Sequence, residues 1–144
     1  MVESGRWSRP RPEAAPAVNR PVLLDASFLI EFEREAAQRR VGPAHRLMQT
    51  MRSRRLVVSI VTVEEILEGA ADEALAVRSL QRFAIQGLQL AHARRCALTQ
   101  RRAAKRLGEN DAWLVTTAQV LDADVVGADR HAFERLGARY VRFR

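Results

Sequence analysis

A three-layer α/β/α fold with a short, mainly parallel central sheet is predicted by two features of the sequence. Brief β-prone runs such as VLLD (Val22 to Asp25), LVVSI (Leu56 to Ile60) and DVVGA (Asp124 to Ala128) are nearly all apolar. Strands read this way when helices cover both faces of their sheet. Between the runs lie segments with apolar residues at helical spacing, the alternation that builds a parallel sheet through helical crossovers. A length of 144 residues suits one domain with a real core.

The elements follow in order. Residues 1–20 are read as a flexible tail rich in arginine and proline, and residues 21–144 as the folded domain. After VLLD, the segment ASFLIEFER has a helical pattern. A second helix is expected from about Pro43 to Arg54, with Leu47, Met48 and Met51 on one face. LVVSI forms the second strand, and TVEEILEGA the next helix, with Gly69 as its C-terminal cap. EALAVRSLQRFAIQG is read as a fourth helix, LQLA as a weak strand, and Ala91 to Leu107 as a basic helix. Gly108 interrupts the chain before the apolar helix NDAWLVTTAQVLDA. DVVGA, a short helix RHAFERLG and a last strand ARYVRF complete it.

Composition narrows the function classes. No apolar run reaches the ~18–20 residues that a membrane span requires, and the N-terminus lacks the apolar centre of a signal peptide, so a cytoplasmic, non-membrane protein is expected. The single cysteine, Cys96, cannot form an internal disulfide and is read as a small buried hydrophobe. The net charge is +7, and a basic surface attracts polyanions, with arginine suited to phosphate. Arg94, Arg95, Arg101, Arg102, Lys105 and Arg106 fall in one span without an acid. As a helix face they form either a nucleic-acid track or a solvated surface.

The acids are placed more tellingly. Asp25 ends the first strand, Glu65 follows the second, Asp111 opens the apolar helix, and Asp129 follows the last internal strand. Each has a structural explanation. Asp25 and Asp129 suit helix N-caps. Thr62 and Glu65 have capping-box spacing, and Asp111 suits a helix macrodipole with Asn110 as cap. Yet ligand sites in open α/β sheets lie outside the carboxyl ends of the strands. Parallel neighbours would gather these acids there, beside helix N-termini that favour the ionised form. Clustered carboxylates without sulfur suit Mg²⁺ or Mn²⁺, and such ions on a basic protein point to phosphodiester chemistry. Ser27, one short turn past Asp25, is placed to support a water or a phosphate oxygen. The histidines His45, His92 and His131 are scattered and receive no role, and Trp113 is assigned to packing or a partner interface.

In this order, LLDASFLIEF, TVEEILEGA, NDAWLVTTA and GADRHAF resemble the motifs of PIN-domain ribonucleases, above all the VapC-type toxins of bacterial toxin–antitoxin pairs. The likeness runs from Pro21 to Arg144. The opening motif, D-x-S or D-x-T, matches Asp25 and Ser27. The second, T-x-x-E-[LI]-x-x-G, matches Thr62, Glu65, Ile66 and Gly69, and the third matches Asn110, Asp111, Leu114 and Val115. The resemblance implies a metal-dependent endoribonuclease with Asp25, Glu65, Asp111 and Asp129 as catalytic and metal-binding acids. It also implies Mg²⁺ or Mn²⁺ as cofactor, RNA as substrate, a cognate antitoxin as partner and a homodimer. At the fourth motif, T-x-D in the family, this chain has Gly127-Ala128-Asp129 and lacks the hydroxyl. That departure motivates an alternative, a catalytically weak PIN-like module that binds RNA or protein.

Overall fold

The computed structural model describes residues 19–128, 136 and 139–144. Its elements are β1 (Val22–Leu24), α1 (Ala26–Ala37), α2 (Pro43–Thr50), β2 (Leu56–Ser59), α3 (Ile60–Gly69), α4 (Glu73–Leu80), β3 (Ala84–Gln86), α5 (Leu90–Arg102), α6 (Glu109–Leu121), β4 (Asp124–Gly127) and β5 (Tyr140–Arg142). The strands form one sheet in the order β3-β2-β1-β4-β5, and every pairing is parallel. The expected short parallel sheet is thus present, with β1 at its centre, buried along its whole length.

Alternation along the strands decides what each face holds. Val22, Leu24, Val58 and Val126 pack with Phe28, Leu29, Phe32, Ala44 and Leu80, the layer built by α1, α2 and α4. Leu23, Val57, Val125 and Tyr140 pack on the opposite face with Leu114 and Ala118 of α6. Behind α6, Ala112 and Trp113 pack with Cys96 of α5 and with Leu107, so both Trp113 and Cys96 serve packing. Among the described residues, no helix is long and apolar enough to cross a membrane.

Several boundaries differ from expectation. The fourth helix stops at Leu80, and the edge strand is Ala84–Gln86, ahead of the expected LQLA. Leu88 and Leu90 are exposed instead. Phe83 packs against the α1 core, which draws the chain onto the sheet edge directly after α4. The basic helix ends at Arg102. Gln100 then holds the following turn, its side chain donating to the Leu107 carbonyl at 3.0 Å and accepting from the Leu107 amide at 2.8 Å. Lys105 and Arg106 therefore belong to a loop. The helix from Pro43 ends at Thr50, short of Arg54, and Gly69 is the last residue of α3 itself, not a residue beyond it.

Two buried acids anchor the scaffold away from the carboxyl edge of the sheet. Asp124 begins β4, as the run DVVGA leads one to expect, and is ion-paired with Arg20 at 3.1 Å and Arg54 at 2.5 Å. Glu35 of α1 is fully buried and accepts from the amides of Gly42 (2.9 Å), Ala44 (3.0 Å) and His45 (3.0 Å) at the start of α2. The His45 ring completes the set at 2.9 Å. Gly42, the N-cap of α2, has no side chain to cap with, and Glu35 supplies that carboxylate from the preceding helix.

Candidate active site

The strand alternation that places Leu23 and Val57 on the α6 face also directs Asp25 and Ser59 there, at the carboxyl ends of β1 and β2. The backbone of Asp25 joins sheet to helix, since its amide donates to the Val126 carbonyl at 2.9 Å and its carbonyl accepts from the Leu29 amide at 3.1 Å. Its side chain caps α1 as expected, Oδ1 accepting from the Ala26 amide at 2.8 Å. Oδ2 accepts from the Ser27 hydroxyl at 3.2 Å, and that hydroxyl in turn accepts from the Ala128 amide at 3.0 Å. Ser27 therefore ties the Asp25 carboxylate to the end of β4.

The capping explanations for the next two acids do not survive. The N-cap of α3 is Ser59, whose hydroxyl accepts from the Val61 amide at 3.2 Å. Thr62 is buried inside the helix, so it forms no capping box with Glu65. The N-cap of α6 is Gly108, which places Asn110 and Asp111 within the first helical turn. Glu65 and Asp111 are thus released from capping work, and Asp111 lies where the helix dipole favours negative charge.

Asp25, Glu65 and Asp111 line one cavity of about 190 Å³, together with Ser27, Ser59, Thr62 and Asn110. Among the described residues no arginine, lysine or histidine lines it. Burial pushes the Glu65 carboxyl above its ordinary range, and the charges of Asp25, Glu64, Asp111 and Glu68 push it further. Exposed Glu64 is raised mainly by its hydrogen bond and charge contact with Glu68. Among the described residues, no three His, Cys, Asp or Glu side chains close into a preformed metal cage. The donor set is open and entirely of oxygen, and its mutual repulsion is the charge pattern that a hard divalent cation relieves. Asp129 and His131 lie outside the described residues.

Ser59 was not anticipated as part of this site. Its signal was a polar residue interrupting the apolar run LVVSI at the strand tip. The basic residues divide between two grooves on either side of α5. Arg95, Arg102 and Lys105 line one with Val115 and Gln119, while Arg101 and Arg106 line another with Ala112 and Trp113. Arg94 is exposed on α5 and lines neither. A further, largely apolar groove lies between α1, α3 and α4, where Leu29, Ile30, Ile66 and Leu75 are among its lining, and Glu65 stands on its rim.

The family profile for the PIN domain matches residues 22–138. Several solved structures share the fold. A toxin–antitoxin complex from Klebsiella pneumoniae is 21% identical with a TM-score of 0.64, over 85% of this chain and 98% of that chain. VapBC-1 from nontypeable Haemophilus influenzae is 19% identical with a TM-score of 0.63, also over 85% and 98%. VapBC2 from Rickettsia felis, bound to a promoter DNA fragment, is 12% identical with a TM-score of 0.64, over 85% and 96%. No curated protein sequence matches the chain. Identities this low speak to fold alone, whereas the profile spans most of the sequence and runs from β1 past the end of β4. The chain belongs to the PIN domain family.

Proposed function

We propose that this protein is a divalent-metal-dependent endoribonuclease, acting in the cytoplasm as the toxin of a toxin–antitoxin pair. The observation that carries the reading is the convergence of Asp25, Glu65 and Asp111 on one cavity without a neutralising cation among its described lining residues. These acids, with Asp129 as the fourth, would hold Mg²⁺ or Mn²⁺. When bound, such an ion neutralises charge on phosphoryl oxygens and lowers the pKa of water. The chain's own residues orient the donors. Ser27 fixes one oxygen of Asp25, the start of α6 presents Asp111, and Asn110 lies beside it with an amide suited to a phosphate or sugar oxygen.

The surface supports the same reading. RNA would lie across the basic residues Arg94, Arg95, Arg101, Arg102, Lys105 and Arg106, all exposed on α5 and the loop that follows. An antitoxin as partner is supported by the toxin–antitoxin complexes among the structural neighbours. A protein segment seated in the apolar groove would stand against Glu65 on its rim. We extend the proposal to a homodimer, as the family resemblance implies. Purified protein should cleave RNA with Mn²⁺ and lose cleavage in EDTA or as Asp25→Asn. Cleavage surviving both treatments would overturn the reading. Tight RNA binding without metal-dependent turnover would instead support a non-catalytic binding module.

A further inference from the structure

Glu31 of α1 is only 8% exposed, yet three arginines share its carboxylate. Oε2 lies 3.0 Å from Arg34 Nη1 and 3.5 Å from Arg144 Nη1, and Oε1 lies 3.3 Å from Arg40 Nη2. Arg34 comes from the same helix, Arg40 from the connection to α2, and Arg144 from beyond β5. One guanidinium is enough to pair a carboxylate, so three leave positive charge in excess. About half of each arginine side chain stays exposed, at 56%, 48% and 53% for Arg34, Arg40 and Arg144. A guanidinium carries five N–H donors in a fixed fork, and those turned outward suit phosphate oxygens. The exposed acid of α1, Glu33, is drawn away toward Ser79 of α4 and Arg82.

The cluster flanks the acid cavity. Phe143, the residue before Arg144, donates its amide to the Gly127 carbonyl at 3.4 Å. A β-carbon placed on Gly127 would stand 2.9 Å from Asp25 Oδ2, so Gly127 abuts the Asp25 carboxylate. One strand spacing, about 4.8 Å, and one further residue, about 3.3 Å, separate Gly127 from Arg144. The Phe143 ring packs edge-on against Phe28 of α1, with 5.3 Å between centroids. It belongs to the α1 layer, on the opposite face of the sheet from α6 and the basic helix behind it.

We propose that Arg34, Arg40 and Arg144, gathered by Glu31, form a second phosphate-binding surface that holds the RNA chain on the α1 side of the cavity. The basic residues of α5 hold it on the other side. The chain then crosses the carboxyl edge of the sheet, where Asp25, Glu65 and Asp111 line the cavity, with an anchor on each face. This inference rests on the ribonuclease reading and deepens it by stating how the substrate lies.

The test is binding of a labelled single-stranded RNA to the full chain in EDTA, followed by fluorescence anisotropy across a salt series. Wild type, Arg40→Ala, Arg144→Ala, the double alanine variant and Arg144→Lys are compared, with thermal melting and Mn²⁺-dependent cleavage alongside. Each alanine variant should flatten the slope of log affinity against log salt by about 0.7, and the double variant by about 1.4, the scale for contacts to single strands. Arg144→Lys retains the charge and should retain the slope. In cleavage, the alanine variants should raise KM more than they lower kcat, as loss of binding remote from the reacting atoms does. A wild-type slope in the double variant overturns the second anchor; the ribonuclease reading still stands if wild type cleaves RNA with Mn²⁺ and not in EDTA. Wild type that neither binds nor cleaves RNA overturns both. A slope flattened with duplex DNA but not with RNA overturns the assignment to the RNA chain. Should an alanine variant melt early, Arg40→Gln and Arg144→Gln, which keep more of the side chain, decide by the same slopes.

Discussion

Glu65 carries an electrostatic load inside the cavity. Burial first, and then the charges of Asp25, Glu64, Asp111 and Glu68, raise its carboxyl above the ordinary value. Between the unfolded value and the raised folded one, the native chain binds more protons than the unfolded chain. Stability therefore falls as pH rises through that window. Removing the charge removes the penalty. In EDTA at pH 7, Glu65→Gln should melt above wild type, and the difference should close below about pH 4, where carboxylates protonate in both states. Added Mn²⁺ should reverse the order, because only the wild-type site retains its full donor set and ligand binding stabilises the native state. A wild type more stable than Glu65→Gln in EDTA at pH 7 would show that Glu65 is already compensated within the chain.

At the level of elements, the junction of α1 and α2 depends on one carboxylate. Burial pushes Glu35 up, but the amide and ring of His45 and the amides of Ala44 and Gly42 more than offset this, lowering it to about 2. A depressed pKa contributes stability that is present above the unfolded value and lost as pH falls through the folded one. This contribution should fade between the ordinary carboxylate range and pH 2. A β-carbon on Gly42 would stand 2.5 Å from the Glu35 carboxyl group. Gly42→Ala and Glu35→Gln should each lower stability by about 1–3 kcal/mol in urea unfolding at pH 7. The double variant should cost less than the sum, because both act on the same contact. Additive losses would separate the glycine from the carboxylate. Sequence reading left Glu35 out because its partners lie on the following helix, and α1 alone shows only a polar residue in a helical run.

At the scale of the molecule, the described residues keep the acids of the cavity apart from a basic surface. Asp25, Glu65 and Asp111 gather at the carboxyl edge of the sheet, while arginines line grooves on both sides of α5. Such separation suits a phosphate chain held by one surface and cut at another. Arg102→Ala and Lys105→Ala should weaken RNA binding in EDTA and flatten its salt dependence by about 0.7 log units per lost contact, the scale for single strands. They should leave the melting temperature within about a degree or two of wild type, as exposed substitutions usually do. A salt slope equal to that of wild type would place the RNA elsewhere.

Local chemistry alone specified the layered α/β class and the acids at the strand ends. Apolar strands such as VLL and LVVS read as buried without any knowledge of their neighbours, Asp25 directly follows the first, and Glu65 lies in the helix that follows the second. Features that depend on distant contacts were not legible. The position of β3 is set by pairing with Val57 to Ser59, and the end of the basic helix by Gln100 holding Leu107. Whether Asp111 and Glu65 cap helices or face a cavity was settled by where α3 and α6 begin. Gly127 looked in sequence like the loss of a hydroxyl. Only the tertiary fold, by bringing β5 alongside β4, placed the Tyr140 hydroxyl in the space that glycine leaves open.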